Sequence, residues 1–409
     1  MSKQIVANLF LIFIVSFRQV VFAKSNFVPK TGDTVITLFI HINNPGASTH
    51  IRKAPLKYNK SFAYSLTFDD GLVSAYRTAF PLMNGGAVSD RYIDEWKNDQ
   101  GGDGNLSEGL CYSDGCGNRI PFRASIAINA KNIQPDSIVN RGHLSWLEVS
   151  RMVQAGWSVM NHGYAHATKD GTDYKAEVKR NIDTIAWKLN LFASQFIVPG
   201  GEGPQGYDLK YTKSAFQQGS NAVGGNVGQG PIIRIDQALN LVNLAYRRSY
   251  VTSNKGIPSL FKDENNILDS LFKVNLSAQA GRKYWFNEFT HSTGNDNLWG
   301  ISLKFKTLRF YLENVAKLYG IEGKDNIWMA PFEEVYDYLR MRDAIKTKLT
   351  WNENLIVVRI SVPQDLLTMR YRAVTLLLSG TNQFSVISPG KQIKLTYNSQ
   401  KGRLITIEF

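Results

Sequence analysis

The chain is 409 residues long, enough for one large domain with a smaller one beside it. With 43% hydrophobic and 20% charged residues it can bury a full core and carries no signature of disorder. Its formal net charge of +13 is diffuse, with no long Lys/Arg run, which argues against a nucleic-acid-binding arm and leaves a general attraction to anionic surface polymers.

Residues 1–23 read as a secretory signal peptide. Lys3 gives a cationic start, Ile5 to Val15 is nearly all apolar, and Val21-Phe22-Ala23 offers a cut ahead of Lys24. The apolar core is shorter than the roughly 20 residues a bilayer crossing needs. The expected location is therefore secreted, periplasmic or cell-envelope, with no transmembrane span after cleavage. In an exported chain, Cys111 and Cys116 either close a small disulfide loop or stay as two thiols, and the spacing leaves both open.

A strand is predicted at Thr34 to Ile40, inside an N-terminal extension, and another at Ala63 to Phe68 that stops at Asp69-Asp70-Gly71. Residues 97–119, rich in Gly, Asn, Asp and Ser, read as an inserted loop, and Ala124 to Ile128 follows as a strand. Ser145 and Glu148 form a capping box, with Leu144 placed to staple onto Val149 and Gly156 as terminator. Trp157 to Met160 is a short strand running into Asn161-His162. A helix from about Thr172 carries Val178, Ile182, Ile185 and Leu189 at helical spacing. Phe196-Ile197-Val198 ends at Pro199-Gly200-Gly201, Ala222 to Gly224 is a short strand, and Trp285 to Thr290 ends at His291. Helices over 305–319 and 331–342 bracket a strand at Ile327 to Ala330.

Strands alternating with helices over 24–345 argue for an α/β fold with a mostly parallel sheet, of the barrel kind. Polar residues recur just past strand ends, where parallel barrels place their sites. From 346 to 409 the texture becomes β-type runs between turns, a small C-terminal antiparallel β-module.

Adjacent residues leaving a strand point in different directions, so Asp69 and Asp70 can separate cation binding from proton transfer. His162 and His166, spaced by four among only six histidines, bring two imidazoles to one side. Two imidazoles and a carboxylate leave a coordination position open, as catalytic metal sites do.

Leu66 to Gly71 resembles the first signature of the polysaccharide deacetylase family, the NodB-homology or carbohydrate esterase family 4 domain. Trp157 to His166 resembles its second signature, and His291 stands where the family has its last motif histidine. The resemblance spans about residues 60–342. It implies a distorted (β/α) barrel with a divalent metal, usually zinc, on Asp70, His162 and His166. It further implies Asp69 as general base, His291 as general acid, Gly200 at the oxyanion contact and an acetylated glycan as substrate, losing N- or O-acetyl groups.

Three departures accompany it. The third motif lacks its usual arginine, for which Arg234 or Arg247 could substitute. Gly163 stands where the family has Ser or Thr. Asp236 and Trp299 are stand-ins for an unclear fourth motif, with Trp299 or Trp285 as exposed aromatics for a sugar ring. Two other functions fit the same chain: a non-catalytic glycan-binding envelope protein, and an amide hydrolase acting on a small molecule.

Overall fold

The computed structural model describes residues 33–43, 49–90, 101–137, 142–200, 205–236, 239–251, 269–294, 303–381, 383–388, 390, 393–400 and 403–409. The signal-peptide expectation at 1–23, part of the 97–119 insert and Trp299 lie outside them. Among the described residues no helix is long and apolar enough to cross a membrane.

Phe62–Phe68 is the centre of a parallel sheet. All seven of its residues are buried, the pattern of a strand covered on both faces rather than an alternating one. On one side follow Ser125–Ile128, Ser158–Asn161, Gln195–Ile197, Ala222–Gln229 and Leu244–Tyr246; on the other lies Tyr284–Thr290. These pairings are parallel, and only Ile232–Arg234 joins antiparallel, against Tyr284–Thr290.

The sheet curls because the chain crosses its own seam. Leu244–Tyr246 lies at one edge, yet Ser249–Tyr250, after two intervening residues, pairs with Tyr284–Thr290 on the opposite side of the sheet. Arg247 and Arg248 make that crossing. The expected α/β barrel is thus present.

The helices cover the sheet as their patterns require. Trp146–Gln154 is capped by Ser145, whose side chain accepts from the Glu148 N–H while the Glu148 carboxylate accepts from the Ser145 N–H. Asp173 caps Tyr174–Leu189, which buries Val178, Ile182 and Ile185. Tyr207–Gln217 and Asp269–Gln279 have no counterpart in the sequence reading; Phe305–Tyr319 and Phe332–Ala344 do.

The small β-module is a sandwich of two four-stranded sheets, and it draws on both ends of the chain. Thr34–Asn43 sits inside the sheet Lys346–Asn352, Leu355–Val362, Thr34–Asn43, Gln383–Ile387. His50–Lys53 edges the other, with Ala373–Ser379, Leu404–Glu408 and Lys394–Asn398. Inward residues alternate along each strand, as in Ile36, Leu38, Ile40 and Ile42 against Ile356, Val358 and Ile360. The N-terminal extension expected beside the barrel therefore belongs to this sandwich, because only pairing buries its apolar alternate face.

Sandwich and barrel are joined by buried charge. Lys57 Nζ lies 3.0 Å from Glu334 Oε1 and 2.7 Å from Glu408 Oε1, and Arg123 Nη2 lies 2.6 Å from Glu334 Oε2. Cys111 and Cys116 stand as separate thiols, with Cys111 held in a hairpin against Pro121.

Candidate functional site

Five strand ends converge on one cavity of about 190 Å³, lined among the described residues by Asp69, Asp70, His162, His166, Gly200, Arg248, Phe289 and His291 and four more. Phe62–Phe68 delivers the two aspartates, Ser158–Asn161 the histidine pair, Gln195–Ile197 the Pro-Gly turn, Tyr284–Thr290 His291, and Leu244–Tyr246 the arginine.

Asp70 Oδ1 lies 3.2 Å from His162 Nε2 and 3.4 Å from His166 Nε2, and Asp70 Oδ2 lies 3.8 Å from His291 Nε2. One donor atom each from Asp70, His162 and His166 falls within 4.8 Å of the others. Asp70 Oδ1 is buried and receives no hydrogen bond, although two ring nitrogens face it. A buried carboxylate oxygen left that way is costly unless something charged occupies the space between. His162 Nδ1 sits 3.0 Å from the Ile197 carbonyl. Donating there leaves the Nε2 lone pair aimed at Asp70, the tautomer a metal ligand needs. The donor set therefore fits a divalent cation.

Burial works against the Asp70 carboxylate, but the His162, His291 and His166 imidazoles outweigh it and hold its pKa well below the usual carboxylate range. Burial likewise opposes a charged His162, yet Asp70 and Asp69 raise its pKa; burial with His162 as neighbour lowers that of His166. One imidazole beside the carboxylates is thus the readier to protonate.

Two of the three candidate ligands have left-handed backbone, Asp70 at φ +68° and His166 at φ +55°. Single residues hold such conformations only where their surroundings over-determine them. Glu177 does this for the histidine loop: its carboxylate accepts from the Ala165 N–H at 2.8 Å, and its carbonyl from the Tyr164 N–H at 3.0 Å. Three fully buried asparagines support the same loop. Asn129 Nδ2 donates to the Gly163 carbonyl at 3.0 Å, Asn161 Oδ1 accepts from the Gly163 N–H at 2.9 Å, and Asn181 Nδ2 donates to Asn161 Oδ1 at 2.7 Å. Gly163 itself has φ +75°, so the departure from Ser or Thr noted in the sequence suits its backbone.

Asp69 has its own partner. Arg248 Nη1 and Nη2 donate to its two oxygens at 2.8 and 2.9 Å, a largely buried bidentate pair. This corrects both arginines the sequence offered. Arg234 instead pairs with Asp236 on the surface, which removes Asp236 from the site as well, and Arg247 is exposed. Trp285 is also corrected: it is fully buried, its Nε1 donating to Ser65 Oγ at 3.0 Å, and it cannot present a face to a sugar. Gly200 does reach the cavity. At φ +73° a Cβ there would come within 2.7 Å of Thr168 Cγ2, and Tyr207 Oη donates to its carbonyl at 2.7 Å.

No family model matches the chain, and no curated protein matches it. Similar solved structures exist. One is the Streptococcus pyogenes deacetylase PplD in complex with acetate, at 15% identity and TM-score 0.27 over 41% of this chain; this chain spans 56% of that protein's length. Another is a candidate polysaccharide deacetylase from Mycobacterium smegmatis, at 13% identity and TM-score 0.40 over 76% of this chain and 99% of that one. A third is the Xyl-CE4 domain of a multidomain xylanase from the hindgut metagenome of Trinervitermes trinervoides, at 12% identity and TM-score 0.35 over 67% and 89%.

Arg248, Glu177 and the three asparagines escaped sequence reasoning. Asn129 and Asn161 follow or end strands, the same signal that picked out Asp69 and His162. Asn181 interrupts an apolar helical stripe, where an asparagine is at home only if its amide is bonded.

Proposed function

We propose that this protein is a metal-dependent hydrolase that removes acetyl groups from an acetylated glycan outside the cytoplasm. The observation that carries the reading is the convergence of a three-donor cation cradle, an arginine-gripped carboxylate and a separate imidazole on one cavity.

A divalent ion held by Asp70, His162 and His166, zinc by the nitrogen-rich donor set, would polarise the acetyl carbonyl and acidify the attacking water. Asp69, its carboxylate oriented by the two Arg248 hydrogen bonds, is placed to take the proton of the attacking water. His291 protonates the departing amine or alkoxide. The Gly200 N–H is the candidate donor to the carbonyl oxygen as negative charge develops there.

The cavity size supports a polymer over an enclosed small molecule. Sites that engulf a drug-sized ligand run to roughly 300–1,000 Å³, whereas this one offers about 190 Å³, room for the reacting group while the remaining sugars lie outside. Acetate release from chitooligosaccharides, peptidoglycan and acetylated xylan, with and without zinc and chelator, tests the reading. Metal-dependent acetate from a glycan supports it and separates N- from O-acetyl substrates. Release from none, with metal bound one-to-one, sinks it.

A further inference from the structure

The barrel seam contains one ring that touches both halves of the proton-transfer machinery. Phe289 lies with its face toward Arg248, the guanidinium carbon 4.0 Å from the ring centroid. It also stands edge-on to His291, centroids 5.8 Å apart at 62°. Tyr250, directly opposite Phe289 in the parallel pairing, backs it at 4.2 Å. Phe289 is buried, and its strand continues into Thr290, whose carbonyl accepts from the Asp69 N–H at 2.9 Å.

A buried guanidinium has lost its hydration and must be held on its edge and on its face. Asp69 holds the edge of Arg248 through two parallel bonds, which fix the group within its own plane. Those bonds leave the tilt of that plane free. An aromatic face at cation–π distance removes this freedom, and in a desolvated setting such a contact is among the stronger ones available to arginine.

We propose that Phe289 is the positioning residue that keeps general base and general acid in register, acting on Asp69 through Arg248 and on His291 by direct contact. Its effect on turnover rests on the hydrolase reading above, whereas its grip on Arg248 is a property of the folded chain alone.

The experiment uses the full chain loaded with zinc and the variants Phe289→Leu, Phe289→Tyr, Arg248→Lys and the double variant F289L/R248K, each checked for a cooperative melt. Phe289→Met replaces Phe289→Leu if the latter does not fold. Phe289→Leu is expected to lower kcat by about 10- to 100-fold, the scale of a misplaced catalytic group, with KM within about twofold. Phe289→Tyr, which keeps the ring, should stay within about threefold of wild type. The double variant should be no slower than the worse single one, since both changes disable the same support. Arginine-selective NMR should show hindered Arg248 guanidinium rotation in wild type and Phe289→Tyr, and free rotation in Phe289→Leu. A raised KM with kcat intact would reduce Phe289 to a cavity wall, and losses that multiply in the double variant would overturn the route through Arg248. Hindered rotation surviving in Phe289→Leu would overturn the grip itself. Should wild type release no acetate, the hydrolase reading falls and the NMR comparison still decides the role of Phe289.

Discussion

Arg248 reaches Asp69 from 179 positions further along the chain and closes two hydrogen bonds onto it, at 2.8 and 2.9 Å, in the buried floor of the cavity. The reach is possible because Arg248 occupies the two-residue step by which the chain crosses from one edge strand of the curled sheet to Tyr284–Thr290 on its opposite side. The carboxylate is thereby paired away from the cation cradle, although its sequence neighbour Asp70 faces directly into it.

Removing Arg248 should leave Asp69 as a buried, uncompensated charge. Arg248→Ala is expected to cost about 3–5 kcal/mol of stability, and Arg248→Lys less, because the charge remains and one of two bonds is lost. Both should still bind one metal ion, since no ligand is touched. Denaturant melts and metal content per chain check the pair of statements.

The two aspartates should separate cleanly by substitution. Asp70→Ala, His162→Ala and His166→Ala each remove a donor and should lose stoichiometric metal, with turnover. Asp69→Asn should keep the metal and lose turnover by about 100-fold or more, the ordinary contribution of a positioned general base. Elemental analysis beside acetate release decides; a metal-free D69N protein would mean that the roles are exchanged.

Metal affinity should fall on acidification earlier than free imidazole would dictate. An imidazole ligates only when neutral, and Asp70 and Asp69 raise the His162 pKa against the opposing effect of burial. Protonation thus competes with the metal already above about pH 6.5, the ordinary imidazole value. Chelator competition from pH 5 to 8 measures this, and affinity that holds constant down to pH 6 would contradict it.

Glu288 makes stability itself depend on pH. Its carboxylate is enclosed between the sheet and the helix Phe305–Tyr319, accepting from Tyr64 Oη at 2.8 Å and Tyr311 Oη at 2.6 Å. Burial pushes its pKa up to about 7 against the two hydroxyls. With the folded value above the unfolded one, its stabilising contribution is complete below about pH 4.5 and is lost as pH rises through about 7. The loss amounts to about 3 kcal/mol. Glu288→Gln should flatten this segment of the profile and melt higher than wild type at pH 8.

Much of this architecture is legible in local pattern. The capping box at Ser145, the apolar stripe of Val178, Ile182 and Ile185, and the strand ends at Asp69, His162 and His291 are each encoded within a few residues. What local pattern omits is pairing at a distance. Nothing within ten residues of Arg248 distinguishes it from Arg247; only the seam crossing turns one inward and leaves the other exposed. Trp285 is hidden because its strand has cover on both faces, which depends on helices distant in sequence. The partner of Thr34–Asn43 was equally invisible, since its complement lies at the far end of the chain.

That last pairing governs how the protein can be made. Asp33 and Ser361, joined by a side-chain hydrogen bond, stand 328 positions apart, so the barrel is threaded between two halves of a sandwich neither of which is a finished sheet. During synthesis Thr34–Asn43 leaves the ribosome with its apolar face bare and its backbone donors open, and stays so until Leu355–Val362 has followed. Such long-range closure is slow and leaves an unpaired edge exposed meanwhile. The final strand, Leu404–Glu408, acts as a latch: it brings Glu408 to Lys57 and completes the charge cluster beneath the barrel. A chain stopped short of it would keep every group of the cavity and still lack the closure that holds them in a durable fold.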